Sequence, residues 1–254
     1  MIQLAQLRAV AGEFGATELT HGKDAALYQV EVVLPSTATV QYRLQVIALR
    51  KGRVAVKENP VAKLPRCCPD RHINRDGTFC LNWDEANPLP IVDEASAKRW
   101  WGYLVEFLRC QEVASALRKW VCPGYAHGDA AKYQREAERA AAKLGPRVSS
   151  LVEEGRLLAR RRESHGRARI ELLKDGNVLA RVSQRSGFLS DRQIPCVCSE
   201  QDTRPISECG EHAADLQSLV TALYEWRVSE QRFVRELSRS GVSCCRTLDQ
   251  CSLT

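Results

Sequence analysis

Arg71-His72-Ile73-Asn74-Arg75-Asp76-Gly77-Thr78-Phe79-Cys80-Leu81-Asn82-Trp83 lies inside a segment, Glu58 to Pro90, in which apolar periodicity vanishes. Pro60, Pro65, Pro69, Gly77, Pro88 and Pro90 punctuate that segment. A loop of this length inside a compact domain is either disordered or functional. Its composition argues for order, because Leu64, Ile73, Phe79, Leu81 and Trp83 are all available for burial. Gly77 supplies a residue that accepts positive φ, which lets the chain reverse so that Phe79 buries and Cys80 faces outward. Taken alone, Cys80 reads as a buried structural thiol between Phe79 and Leu81, since free cysteine is among the most buried residue types. With Asn74 and Gly77 beside it and an alternating strand pattern ahead of the loop, it reads as a nucleophile instead.

Working outward, Leu4, Leu7, Val10 and Phe14 fall at helical spacing and predict a short amphipathic helix. Tyr28, Val30 and Val32, then Val40, Tyr42, Leu44 and Val46, then Val54 and Val56 alternate with polar residues. Pro35-Ser36 and Lys51-Gly52 separate these runs, which predicts a three-strand antiparallel meander. Downstream of the loop, Trp101, Leu104, Val105 and Leu108 mark one stripe of a helix from about Glu94 to Leu117. Asp129 is placed to cap a further helix carrying Tyr133, Ala137, Ala140 and Leu144. Gly145-Pro146 ends that helix and is the expected boundary between residues 1–145 and residues 146–254.

The order helix, meander, long loop, helix, with His-x-Asn just ahead of Gly-x-aromatic-Cys-Leu, resembles the ubiquitin-conjugating enzyme family over roughly residues 1–145. Ile73 stands where that family has proline, and Asn74 lies nearer to Cys80 than in eukaryotic members. The shorter spacing is similar to bacterial relatives encoded beside an activating enzyme, a ubiquitin-like modifier and a deconjugating protease. The resemblance implies an α+β fold in which an antiparallel meander is flanked by helices. It also implies that Cys80 takes a ubiquitin-like protein from an activating enzyme as a thioester and passes it to an amine on a target protein. Systems of this kind are associated with defence against phage. Asn74 is expected to donate to the oxyanion of the tetrahedral intermediate or to hold the loop; in a hydrolase such a donor is worth roughly 2.7–4 kcal/mol. His72 reads as a structural hydrogen-bonding residue or a base. Asp84 or Glu85 is expected to orient or deprotonate an attacking lysine, or to be a solvated loop carboxylate.

The remainder differs in character. Ile170 and Leu172, then Val178, Ala180 and Val182, flank Lys174-Asp175-Gly176-Asn177 and predict a hairpin turning on Asp-Gly. Leu216, Leu219, Val220, Leu223, Trp226, Phe233 and Leu237 predict a long helix. Cys196-x-Cys198 and Cys209-x-x-His212 lie between them, four soft ligands in two close pairs, as structural zinc requires. Gly210 supplies the turn in the second pair. Cys244, Cys245 and Cys251 are candidates to replace one ligand or to join a second site. A thin-cored module of this kind gains folding energy directly from a metal. The second part of the chain is therefore expected to be a Cys-rich α+β module.

The 11 cysteines are many and odd in number. Without a basic region followed by an apolar block at the start, no signal peptide is expected. A cytoplasmic location follows, where cysteines act as ligands, nucleophiles or small hydrophobes before they form disulfides. Cys110 and Cys122 read as thiols, and Cys67-Cys68 as bystanders or oxidative partners of Cys80. The net charge of +6 is too even a field for a nucleic-acid binder, and no run of residues spans a bilayer. Arg160-Arg161-Arg162 reads as a solvated helix end. The partners expected are proteins: a ubiquitin-like modifier, its activating enzyme and a target, with no nucleic acid, no membrane and no organic cofactor. Five scattered histidines argue against a zinc hydrolase. The competing class is a non-catalytic adaptor of the same fold with Cys80 buried.

Overall fold

The apolar repeat at the start closes as α1 (Ile2–Val10), continued by a single 3-10 turn to Phe14, with Leu4, Leu7 and Val10 buried. The structure, a computed structural model, describes residues 2–85, 88–122, 124–164, 166–199 and 204–253. They form two compact units, residues 1–124 with 237–254, and residues 125–236. The Gly145-Pro146 step lies within the second unit, where the helices on its two sides pack together.

In the first unit, β1 (Ala16–His21), β2 (Ala25–Val33), β3 (Thr39–Ala48) and β4 (Val54–Glu58) form one antiparallel sheet in sequential order. The meander thus has four strands rather than three. β1 escaped the alternation test because only Ala16 of its six residues is buried and Leu19 faces solvent. Registers Tyr28↔Leu44, Val30↔Tyr42 and Val46↔Val56 put the apolar members of three strands on one face. α2 (Glu94–Leu117) and α1 cover that face. Asp93 caps α2 by accepting from the Ser96 N–H at 2.8 Å, while the Ser96 hydroxyl accepts from the Asp93 N–H at 2.9 Å. Trp101, fully buried, meets the Tyr28 ring edge-on at 5.2 Å and donates its indole N–H to the Leu7 carbonyl at 3.0 Å. One side chain therefore ties helix to helix and to the sheet.

Between β4 and α2 the described residues are irregular apart from one 3-10 turn at Pro69–Arg71. Two buried polar residues order it. The Glu58 carboxylate accepts from the N–H groups of Ala62, Lys63 and Leu64, each at 3.0 Å, and so gathers the loop's first turn onto the end of β4. Arg71, 1% exposed, reaches α2 with Nε 2.8 Å from Gln111 Oε1, while Gln111 Nε2 donates back to the Arg71 carbonyl at 2.7 Å. Cys110 and Cys122 are joined in a disulfide rather than standing as thiols, because the turn after α2 brings Cys122 back beside its last turns.

The second unit contains α3 (Ala130–Leu144), α4 (Pro146–Glu153), the antiparallel sheet β5 (Leu157–Ser164), β6 (Arg167–Lys174), β7 (Asn177–Ser183), and α5 (His212–Arg239) as far as Glu236. Its core is built from Leu144, Leu151, Ile170, Leu172, Val182, Leu216 and Leu219. Asp129 stands at the N-cap of α3 without a side-chain cap bond. The Asp175-Gly176 turn has φ of 51° and 85°, as a two-residue hairpin turn needs. Arg160-Arg161-Arg162 is strand, not helix end. Arg160 and Arg162 point to one face, where they and Arg181 surround the buried Glu171 carboxylate of β6. Charge pairing across the strands replaces the apolar alternation that would have signalled β5. Among the described residues no helix is long and apolar enough to cross a membrane.

Candidate functional site

Cys80 sits at the end of a short ladder. The Phe79 N–H donates to the Val56 carbonyl on β4 at 2.8 Å, and the Cys80 N–H donates to the His72 carbonyl at 2.8 Å. Asn74 and Gly77 close a turn between these strands of loop, with Gly77 at φ 82° and its N–H 2.9 Å from the Asn74 carbonyl. Phe79 is buried and stacks on Phe107 of α2 at 4.8 Å. Consecutive extended residues point opposite ways, so anchoring Phe79 inward turns Cys80 outward, and Cys80 is exposed. A shallow depression of about 460 Å³ adjoins this loop, lined by Asn74, Arg75, Asp76 and Thr78.

The neighbours of the sulfur are polar. Cys80 Sγ lies 3.9 Å from the Asn82 carbonyl, and Asn82 Nδ2 donates to Asp84 Oδ1 at 2.7 Å. The other Asp84 oxygen pairs with Arg53 at 2.5 Å. Crowding by the loop raises the Cys80 thiol above the ordinary value, and the Asp84 charge raises it further. The resting sulfur is therefore a protonated thiol at neutral pH.

The other expected residues are placed as follows. His72 adopts the left-handed conformation at φ 54°, which directs its carbonyl to Cys80, while its ring lies 5.2 Å from Trp120. A Cβ on Gly124 would come within 2.8 Å of His72 Nε2, so only glycine lets the chain pass over that ring. Asn74 is exposed, its side-chain amide donating to Thr78 Oγ1 at 3.1 Å. Arg53, Arg71 and Gln111 were not singled out by sequence reasoning. Arg71 adjoins His72, yet nothing in its neighbourhood signals that an arginine is buried there, since arginine is normally exposed.

The second cluster is Cys196, Cys198, Cys209 and His212, whose donor atoms all lie within 4.8 Å of one another. The Cys196 N–H donates to the Arg204 carbonyl at 3.0 Å, and the Ile206 N–H donates to Ile194 at 2.9 Å, so the chain returns on itself and carries Cys209 to the first pair. Gly210 at φ 55° turns the chain into α5, which begins at His212. His212 Nδ1 lies 3.2 Å from Cys196 Sγ and 3.1 Å from Cys209 Sγ, and Cys198 Sγ lies 3.9 Å from Cys209 Sγ. Donors at roughly 2.0–2.3 Å from zinc in a tetrahedron stand about 3.3–3.8 Å apart. Three thiols and an imidazole at these separations fit a structural zinc site, complete without the tail cysteines. Bound there, zinc would fasten Cys196 and Cys198 to Cys209 and to the start of α5 at His212.

Comparison with known proteins divides the chain into the same two kinds of domain. Residues 14–122 match the family model described as a prokaryotic E2 domain, and residues 126–253 match that described as a cysteine-rich domain C-terminal to an E2 domain. No curated protein and no solved structure matches the chain. With a helix-flanked antiparallel sheet, a loop presenting Cys80 and a Cys3His cluster beyond it, the chain belongs to the prokaryotic E2-like ubiquitin-conjugating family whose E2 domain is followed by a cysteine-rich module.

Proposed function

We propose that Cys80 accepts the C-terminal carboxyl group of a ubiquitin-like protein from an activating enzyme and transfers it to an amine on a target protein. The observation that carries this reading is the exposed residue Cys80 on a loop anchored through Phe79 and the His72 carbonyl. In the first step the Cys80 thiol loses its proton and attacks the carbonyl of the incoming thioester. The activating enzyme's thiolate leaves. In the second, an amine attacks the Cys80 thioester, an amide forms and the Cys80 thiolate is released. An activated acyl donor makes a strongly acidified thiol unnecessary, which accommodates a sulfur whose pKa is raised.

His72 serves as a positioning residue through its backbone. Asn74, exposed beside the loop, supports the oxyanion of the amine adduct once it exchanges Thr78 for the reacting oxygen. Asp84, held by Arg53 and Asn82, orients the incoming amine. The pathway is proposed to be a bacterial anti-phage conjugation system, with the cysteine-rich module binding a protein partner. Incubation with activating enzyme, modifier and ATP tests the reading: a reductant-sensitive adduct forms and is lost in Cys80→Ala. Asn74→Ala loads normally but discharges to lysine more slowly. An adduct that persists unchanged in Cys80→Ala removes the assignment, whereas a wild-type chain that forms no adduct and whose Cys80 resists alkylation in the native state supports the adaptor role instead.

A further inference from the structure

The C-terminal segment 240–253 contains no helix or strand, yet it is fixed along residues 68–75 and the end of α2. Arg75 donates to the Ser240 carbonyl at 3.2 Å. The Asp70 carboxylate accepts both the Ser252 N–H, at 2.8 Å, and its hydroxyl, at 3.0 Å. Arg118 pairs with Asp249 at 2.5 Å, and the Asp249 N–H returns to the Arg118 carbonyl at 2.9 Å. Leu248 is buried against Cys68 and Ala114. Midway along this strap, Cys245 Sγ lies 3.1 Å from Cys68 Sγ. That separation is only about 1 Å longer than a covalent S–S bond.

We propose that Cys68 and Cys245 form a thiol modification site, at which hydrogen peroxide joins the C-terminal strap covalently to the turn that precedes Cys80. The two sulfurs have different surroundings. Cys68 is fully buried, whereas Cys245 is half-buried and is the one an oxidant reaches. Burial raises the Cys245 thiol, but hydrogen bonds with Thr247 and Cys68 and the nearby Arg71 charge outweigh it and hold this thiol below its ordinary value. Burial, and then Cys245 itself, push the Cys68 thiol far up. Cys245 is therefore the attacking thiolate and Cys68 the resolving thiol.

The steps balance. The Cys245 thiolate attacks one peroxide oxygen, the O–O bond breaks, and a sulfenic acid forms as hydroxide leaves and takes up a proton to become water. The Cys68 sulfur then attacks the sulfenic sulfur, its proton goes to the departing hydroxyl group, and a second water leaves as the S–S bond forms. The two sulfurs together lose two electrons and the peroxide gains them.

The test treats the full chain with one equivalent of hydrogen peroxide, blocks remaining thiols and maps tryptic peptides without reduction. Peptides 67–71 and 240–246 are expected joined, two hydrogens lighter than their sum, and separated by dithiothreitol. The link persists in Cys67→Ser and Cys244→Ser, and disappears in Cys245→Ser and Cys68→Ala. Should Cys68→Ala fail to fold, Cys245→Ser, at a half-buried position, decides the question. A link that survives in Cys245→Ser, or consumption of Cys245 thiol without any link to Cys68, overturns the proposal. Activity at Cys80 does not enter either readout.

Discussion

Gln111→Leu removes the partner of a buried charge while nearly keeping its volume. Arg71 Nε loses its acceptor at 2.8 Å and the Arg71 carbonyl loses its donor at 2.7 Å, both out of contact with water. A hydrogen bond from a charged group contributes about 1.5–3 kcal/mol and a neutral one about 0.5–1.5 kcal/mol. Stranding a buried charge by removing its partner costs about 3–5 kcal/mol. A loss of about 3 kcal/mol is therefore expected, part of the Arg71 interaction surviving through the Gln111 carbonyl and Ser115 hydroxyl, each 2.9 Å away. Urea unfolding followed by tryptophan emission measures it, because Trp83, Trp100, Trp101 and Trp120 all lie in the first unit and only Trp226 lies in the second. The double variant Arg71→Met with Gln111→Leu removes the charge together with its partner and should regain at least about 1 kcal/mol relative to Gln111→Leu alone. A destabilisation below about 1 kcal/mol, or costs that simply add in the double variant, would refute the claim that Arg71 anchors the loop as a buried, paired cation.

Two further outcomes concern the sites. The Cys80 alkylation rate should rise with pH to a midpoint above the ordinary cysteine value of about 8.5, and Asp84→Asn should move that midpoint down, because a charge opposing the thiolate is gone; an unmoved profile means Asp84 does not act on the sulfur. Purified protein should hold about one zinc, lost in His212→Ala and released as pH falls because the ligands must be deprotonated, with amide exchange rising in residues 194–199 and 204–212; full metal content in that variant removes the assignment.

Elements driven by apolar spacing were legible. α2 runs from Glu94 to Leu117 as its apolar stripe predicts, and the Asp175-Gly176 turn predicts its own hairpin. The metal cluster was legible because both of its pairs are local in sequence. β1 and β5 were not, since one is an edge strand with polar faces and the other buries only Leu157 and Ala159, its half-exposed arginines pairing instead with the buried Glu171 carboxylate of β6. Nor does spacing reveal Cys110–Cys122, which depends on the chain folding back after α2. Cys68 and Cys245 stand 177 positions apart, and only the path of the C-terminal strap brings them together. The exposure of Cys80 was legible through Gly77 and Phe79, whereas the Arg71–Gln111 pair that holds the loop to α2 carries no local signal.

The most direct measurement uses Cys80→Ser, which replaces the sulfur with an oxygen whose ester resists thiols. With activating enzyme, modifier and ATP, intact mass should show the wild-type adduct removed by reductant and the Cys80→Ser adduct retained, with the modifier's C-terminus mapped to residue 80. A reductant-sensitive adduct that persists unchanged in Cys80→Ser, or one mapped to another cysteine, would contradict the account.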